Sequence, residues 1–189
     1  MIQRLRSLGF EIMLDLKFLD IPSTVERSCR VAVHHQVSFL TVHAAGGRAM
    51  LAAAVHATRT EAEHLRVERP QLLAVTILTS VARARVKAIT AHVLRLAEEA
   101  LRVGCDGVVS AAQEARALHK RFGSRLRIVC PGIRPVNSRR DDQQRIMSPR
   151  EALACGADLL VIGRPITAAA HPRAAVQQIL NEMEGPNRC

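Results

Sequence analysis

The sequence predicts an α/β barrel of the TIM (β/α)8 type, in which parallel strands alternate with helices. Three observations support this fold class. Short apolar runs alternate with longer amphipathic stretches, the apolar runs are hydrophobic on both faces, and residues capable of chemistry follow almost every run. Functional groups at the C-terminal ends of successive strands are how a barrel builds its active site. The G-x-G-x-x-G fingerprint and the P-loop are absent from the sequence, which disfavours a doubly wound sheet.

Six apolar runs are candidate strands, because they are rich in Val, Ile or Leu and are bounded by polar residues or Gly. They cover residues 12–16, 38–43, 72–78, 107–110, 126–130 and 159–162. The helical segments cover about residues 23–35, 47–64, 86–103, 112–122, 149–155 and 173–184. Two helices carry start signals, Ser110 with Gln113 and Ser148 with Glu151. The order predicts about six βα units.

Composition excludes several classes of protein. Hydrophobic residues make up 48% of the chain and mean hydropathy is +0.06, which is too apolar for a disordered chain. No apolar run approaches the roughly 18 residues of a membrane span. The net charge of +10 could indicate nucleic acid, but four Phe and no Tyr or Trp leave little for base stacking. We therefore expect a single domain over residues 1–189, with neither nucleic acid nor a membrane as partner.

The cysteines and histidines predict neither disulfides nor a metal centre. The five cysteines (Cys29, Cys105, Cys130, Cys155 and Cys189) form no C-x-x-C pair, which favours reduced thiols and a cytoplasmic location. The eight His residues show no H-E-x-x-H spacing, so a metal site could form only by long-range assembly. A G-x-S-x-G nucleophile elbow is also absent from the sequence.

The first candidate site is the run from Asp15 to Asp20, with sequence DLKFLD. In an extended strand Asp15 and Lys17 point to the same side, and Asp20 follows in the loop. Two carboxylates around one amine would keep it protonated, so that it could donate a proton and stabilise negative charge. Lys17 is one of three lysines among 27 basic residues, and a guanidinium could not replace an amine that gives up a proton. The alternative is a plain ion pair, with Asp20 capping the helix after Pro22.

The second candidate site combines two similar turns, Gly132-Ile133-Arg134-Pro135 and Gly163-Arg164-Pro165, which follow the last two strands. Gly lets the backbone approach an anion, and Arg offers a bidentate fork. The last two βα loops of a barrel commonly bind phosphate, so we expect a phosphate site here. The alternative is two Gly-Pro turns with solvated Arg side chains. The polar connection from Pro135 to Met147 is long enough to be a lid, or else a surface loop.

Several motifs, taken together, resemble the orotidine 5′-phosphate decarboxylase family. They occur in that family's order over nearly the whole chain. They are LDLKFLDIPST (14–24), FLTVHAAGG (39–47), LLAVTILTS (72–80), GCDGVVSAAQEA (104–115), CPGIRP (130–135), DDQQRIMSP (141–149) and GADLLVIGRPIT (156–167). The first motif alone is less specific, because related sugar-phosphate enzymes such as hexulose-phosphate synthase share it.

The resemblance implies a cofactor-free and metal-free decarboxylation of orotidine 5′-phosphate to UMP, the last step of pyrimidine nucleotide synthesis. On that pattern Lys17 is the proton donor, and Asp15 lies near the substrate carboxylate. Asp20 and Thr24 match residues that the family's dimer lends across its interface to the neighbouring site.

The other residues matched by the resemblance bind the substrate. Thr79 and Ser80 match the strand end that contacts the pyrimidine. The phosphate grip and lid are matched by Arg134, Gln143, Gly163 and Arg164, with Pro131 as a further binding residue beside them.

The sequence departs from the family pattern at its beginning. A family member supplies two more strands before LDLKF, with an Asp for the ribose hydroxyls and a second Lys, so we expect an N-terminally shortened barrel. Residues 1–10 then form the end of the helix before the first strand, and the loop at residues 81–87 is shorter than usual. Three interpretations stay open: an active decarboxylase, a silent fragment that at most binds nucleotide phosphate, and a related sugar-phosphate lyase.

Overall fold

The computed structural model describes residues 1–78, 86–135 and 147–184, with side chains from residue 88 onward in the second range. Six strands occur in these ranges: β1 (Met13–Phe18), β2 (Phe39–His43), β3 (Gln71–Val75), β4 (Gly107–Val109), β5 (Arg127–Cys130) and β6 (Leu159–Leu160). The helices are α1 (Ile2–Ser7), α2 (Pro22–His34), α3 (Gly47–Leu65), α4 (Val86–Val103), α5 (Ala112–Phe122), α6 (Pro149–Ala154), α7 (Arg164–Thr167) and α8 (Pro172–Glu184).

The strands form one sheet in chain order, β1-β2-β3-β4-β5-β6. The pairings of β1 with β2, β2 with β3 and β5 with β6 are parallel. A helix follows each strand, which confirms the predicted α/β class and the six βα units among the described residues. Four of the five β2 residues are buried, as a strand covered on both faces requires.

Strand ends differ from the prediction where pairing stops. The third strand ends at Val75 rather than at residue 78, because its partner β2 ends at His43, the residue that pairs with Val75. The last strand is two residues long, and its ladder closes with the Val161 amide donating to the Cys130 carbonyl at 2.9 Å. Apolar sequence alone does not set these limits, because a strand lasts only as long as its neighbour can pair with it.

The chain divides into two compact units. The first comprises residues 1–76 and 94–108, and the second comprises residues 77–93 and 109–189. In the first unit α2 packs against α3, and Val33, Leu40, Leu51 and Leu72 are fully buried. In the second unit α8 packs against α6 and α7, and the fully buried residues include Leu118, Ile128 and Ile133.

Near their starts, three strands form hydrogen bonds with the residue that precedes the next strand in the chain. The amides of Ile12, Leu72 and Ile128 donate to the side chains of Ser38, Asp106 and Asp158 at 3.2, 2.7 and 2.6 Å. In return the amides of Ser38, Asp106 and Asp158 donate to the carbonyls of Ile12, Leu72 and Ile128. Each polar side chain thus satisfies a strand amide that the sheet leaves unpaired, and it fixes where the next strand begins.

One of the two predicted helix starts is confirmed and the other is wrong. Ser148 and Glu151 form a capping box at α6, and the Ser148 contacts lower the pKa of Glu151 below its usual value. Ser110 does not cap α5, whose N-cap is Ala111 without a side-chain bond. The reason is that the Ser110 amide continues the sheet by donating to the Val129 carbonyl at 3.0 Å, so the helix begins later.

Four cysteines in the described ranges are free thiols. Burial raises the pKa values of Cys29, Cys105 and Cys130 to about 12. These three thiols are therefore core residues with little thiolate character. Within the described ranges, no helix combines the length and apolar character needed to cross a membrane.

Candidate functional site

An ion pair lies at the C-terminal half of β1. The Lys17 ammonium contacts Asp15 Oδ2, and the two side chains are 36% and 45% exposed. The predicted pairing of these residues is therefore confirmed. Because both groups are partly hydrated, the pair contributes little to stability, and its accessibility leaves both charges available to a ligand.

The backbone at this pair departs from a regular strand. Lys17 has φ +50°, in the left-handed region, and the register between β1 and β2 shifts between Leu14 and Phe18. This break in register has the character of a β-bulge, a feature that re-aims side chains, and a left-handed conformation at a non-glycine residue carries strain. Simple alternation predicts that Asp15 and Lys17 share a side, but it does not predict this conformation.

Thr41, in the middle of β2, contacts both members of the pair. Its hydroxyl accepts from the Lys17 amide at 2.9 Å and donates to Asp15 Oδ1 at 3.0 Å. The residue is fully buried. Sequence reasoning missed Thr41; the signal that could have found it is a hydroxyl in an otherwise apolar strand, since a buried hydroxyl needs partners.

His43 ends β2 beside this pair. It pairs in register with Val75, so the imidazole lies at the ends of two neighbouring strands. Burial lowers the pKa of His43 below its usual value of 6.5, and the nearby Lys17 charge lowers it further. The lowered pKa favours the uncharged form of the His43 imidazole beside the Asp15–Lys17 pair.

Asp20 and Thr24 do not join this pair within the chain. Asp20 Oδ1 accepts from the adjacent Ile21 amide at 2.7 Å, and Asp20 makes no ion pair with Lys17. Asp20 does not cap α2 either, because the N-cap is Ile21 without a side-chain bond. Thr24 lies half-buried in the first turn of α2, where its amide donates to the Ile21 carbonyl. Asp20 is exposed.

In the second unit, the chain turns after β5 at Pro131 and Gly132. Gly132 has φ +77°, which favours glycine at this position. Arg134 is only 7% exposed, its Nη1 donates to the Ile133 carbonyl at 3.1 Å, and its amide donates to the Met147 carbonyl at 3.0 Å. The alternative of a solvated Arg side chain is therefore wrong for Arg134.

The turn after β6 differs from the turn after β5. Gly163 and Arg164 are exposed, and Gly163 is the N-cap of α7. A Cβ atom added at Gly163 would meet no other group within 4 Å. Packing within the chain thus does not require glycine there, and the open space allows a ligand to approach the backbone.

Three of the sequence-predicted site residues, Thr79, Ser80 and Gln143, lie outside the described residues, as do the loop at 81–85 and most of the predicted lid. Among the described residues, no three His, Cys, Asp or Glu side chains are grouped closely enough to hold a metal ion. In the first unit, the described candidate residues are the Asp15–Lys17 ion pair with Thr41 and His43. In the second unit, they are the turns that carry Gly132 with Arg134 and Gly163 with Arg164.

Comparison with known proteins gives one family over most of the chain. The family model described as "Orotidine 5'-phosphate decarboxylase / HUMPS family" matches residues 1–179. The orotidine 5′-phosphate decarboxylase of Vibrio cholerae is 45% identical over 184 residues, which are 94% of this chain and 78% of the relative. That of Nitrosococcus oceani is 46% identical over 189 residues, covering 97% of this chain and 79% of the relative.

Solved structures agree with these relatives. The crystal structure of orotidine 5′-phosphate decarboxylase from Lactobacillus acidophilus superposes with a TM-score of 0.80 at 34% identity, over 97% of this chain and 80% of that one. The enzyme from Pyrococcus horikoshii, at 23% identity and a TM-score of 0.74, shares the fold.

Proposed function

Because the chain belongs to the orotidine 5′-phosphate decarboxylase / HUMPS family, we propose that it converts orotidine 5′-phosphate to UMP in pyrimidine biosynthesis. The observation that carries the proposal is the Asp15–Lys17 pair on a bulged, left-handed strand end. An accessible ammonium held beside a carboxylate is the arrangement that proton donation to a developing carbanion needs.

Lys17 is the proton donor in this proposal. The bond between the pyrimidine ring carbon and the substrate carboxylate breaks, its electron pair stays on the ring carbon, and carbon dioxide leaves. The Lys17 ammonium stabilises that negative charge and then transfers its proton to the same carbon, which yields UMP and a neutral amine. Solvent returns the proton to Lys17, because the amine is partly exposed.

Asp15 lies beside the substrate carboxylate and orients the ammonium. Its Oδ2 faces Lys17 and its Oδ1 is held by Thr41, so the carboxylate is fixed before substrate arrives. Burial lowers the pKa of His43, which disfavours a second positive charge beside Asp15.

The substrate phosphate binds at the Gly-Arg turns. Arg164 is an exposed residue whose guanidinium is the proposed phosphate ligand, and the open space at Gly163 admits the phosphate oxygens close to the backbone. Buried Arg134 and the neighbouring Pro131 support the preceding turn. Gln143 is assigned to the phosphate, and Thr79 and Ser80 to the pyrimidine, on the family resemblance, since these three residues lie outside the described part of the chain. Binding energy from the phosphate, remote from the reacting carbon, organises the site for decarboxylation.

Two copies of the chain form the working unit in this proposal, with Asp20 and Thr24 lent to the neighbouring site. The exposed position of Asp20 and its lack of an ion pair with Lys17 support a role outside its own chain. The proposed location is the cytoplasm, which the four free thiols among the described cysteines support.

The test is the loss of orotidine 5′-phosphate absorbance with purified chain and with matched lysine variants. Lys17→Ala and Lys17→Arg abolish turnover, because neither side chain can donate the proton, while Lys120→Ala, at an exposed lysine of α5, leaves it unchanged. Nucleotide binding, measured by UMP titration, persists in Lys17→Ala.

Activity in Lys17→Ala would refute the assignment of Lys17. UMP binding without turnover in the wild-type chain would instead support the silent phosphate-binding alternative.

A further inference from the structure

We propose that Thr41 is a positioning residue for decarboxylation, whose single buried hydroxyl fixes both the Lys17 backbone and the Asp15 carboxylate. The catalytic part of this inference rests on the function proposed above. The part that concerns the geometry of Lys17 can be tested without turnover.

The hydroxyl of Thr41 has its hydrogen-bonding roles assigned by its partners. The Lys17 amide can only donate, and the ionised Asp15 carboxylate can only accept. The Thr41 proton therefore points to Asp15 Oδ1 at 3.0 Å, and a lone pair of its oxygen receives the Lys17 N–H at 2.9 Å. No free rotation is left to the hydroxyl, so it behaves as a rigid link.

This link closes a ring of contacts through the catalytic pair. Thr41 holds one oxygen of Asp15, and the other oxygen holds the Lys17 ammonium. The Lys17 main chain then returns to Thr41. A movement of either charged side chain therefore disturbs the Thr41 hydroxyl, and because Thr41 is fully buried, losing a partner is costly.

The link also acts where the strand is strained. Lys17 has φ +50° at the bulge between β1 and β2, where ordinary backbone pairing is interrupted. A side-chain acceptor on the neighbouring strand replaces the missing backbone acceptor and retains the left-handed conformation. Without it, β1 can relax toward regular pairing, which re-aims Lys17.

Packing alone does not account for a threonine here. The flanking residues Leu40 and Val42 are fully buried, so a valine at position 41 would suit the strand. Thr41→Val keeps the shape and removes only the hydroxyl, and Thr41→Ser keeps the hydroxyl. Thr58→Val is the matched control, because Thr58 is equally buried but its hydroxyl donates to the Val55 carbonyl within α3.

The experiment measures amide hydrogen exchange at Lys17 and steady-state decarboxylation in the intact chain. In Thr41→Val the Lys17 amide exchanges about tenfold faster or more, and kcat falls by about tenfold or more, as expected for the loss of one hydrogen bond. KM stays within about threefold, because the phosphate contacts are untouched. Thr41→Ser restores both quantities, and Thr58→Val changes neither.

The exchange rate tests whether Thr41 positions Lys17, and kcat tests whether that positioning matters for turnover. Unchanged exchange at Lys17 in Thr41→Val would overturn the proposed link. Faster exchange with unaltered kcat would overturn its importance for the reaction. If the wild-type chain shows no turnover, the proposed function fails, and the exchange data still decide whether Thr41 positions Lys17.

Discussion

Lys17 adopts a backbone conformation that favours glycine, so replacing it should reverse the usual ranking of Ala and Gly in a strand. At φ +50° a residue with a Cβ atom carries strain of about 1–2 kcal/mol, whereas glycine carries none. Glycine costs about 0.5–1 kcal/mol in chain entropy relative to alanine. Lys17→Gly should therefore be more stable than Lys17→Ala by about 0.75 kcal/mol, the difference between the midpoints of these two ranges.

The ion pair does not affect this comparison, because both variants lack the ammonium. Relative to the wild type, loss of the exposed pair costs each variant at most about 1 kcal/mol. The matched control is Leu16, which precedes Lys17 in β1 but has no left-handed φ. At that position Leu16→Ala should be more stable than Leu16→Gly by about 0.5–1 kcal/mol.

Urea unfolding, followed by circular dichroism, measures the difference. With an m-value of about 2 kcal/mol/M, the midpoints of the two Lys17 variants should differ by roughly 0.3–0.5 M, with Gly higher. If Lys17→Ala unfolds at the same or higher urea than Lys17→Gly, while the Leu16 pair behaves normally, then the left-handed conformation carries no strain. The proposed backbone strain at Lys17 would then be wrong.

Two further predictions concern stability. Asp106→Ala should lower the free energy of unfolding by about 2–3 kcal/mol, because it leaves the buried Leu72 amide without its acceptor at 2.7 Å. Arg69→Met removes only the partly exposed ion pair with Asp106 and should lower it by less than about 1 kcal/mol. Equal losses of the two variants in urea titrations would contradict this reasoning. The hydrogen bond from Arg30 is the largest cause that lowers the pKa of Glu61 below its usual value of 4.5. The stabilisation from the Arg30–Glu61 contact is therefore present above pH 4.5 and is lost as pH falls through the lower folded-state pKa of Glu61. Below pH 4.5, urea midpoints of unfolding should fall more steeply in the wild type than in Glu61→Gln. Parallel curves for the two proteins would refute this contribution of Glu61.

The order of secondary structure could be predicted from the sequence because it depends on local patterns. Apolar runs and amphipathic segments alternate over the whole chain, and the structure has a helix after each of its six described strands. The capping box at Ser148 and Glu151 could also be predicted from the sequence, since all its partners lie within four residues. The predicted ends of the strands were less accurate, because a strand's end depends on where its neighbouring strand stops.

The candidate site could be predicted in part. The pairing of Asp15 with Lys17 follows from side-chain alternation along one strand. The roles assigned to Asp20, Thr24, Pro131 and the substrate-binding loops stay predictions, and their tests are biochemical.

What the sequence by itself determined is therefore the set of chemical groups and the βα order that carries them, together with the motifs that predict the family. Only the tertiary structure decided how those groups are held. Four features arise from burial or from contacts between residues distant in the chain. They are the register shift near Lys17, the hydrogen bonds of Thr41, the lowered pKa of His43 and the burial of Arg134. Local sequence cannot encode such features alone, because strain, desolvation and hydrogen-bond satisfaction depend on what the rest of the fold places around each residue.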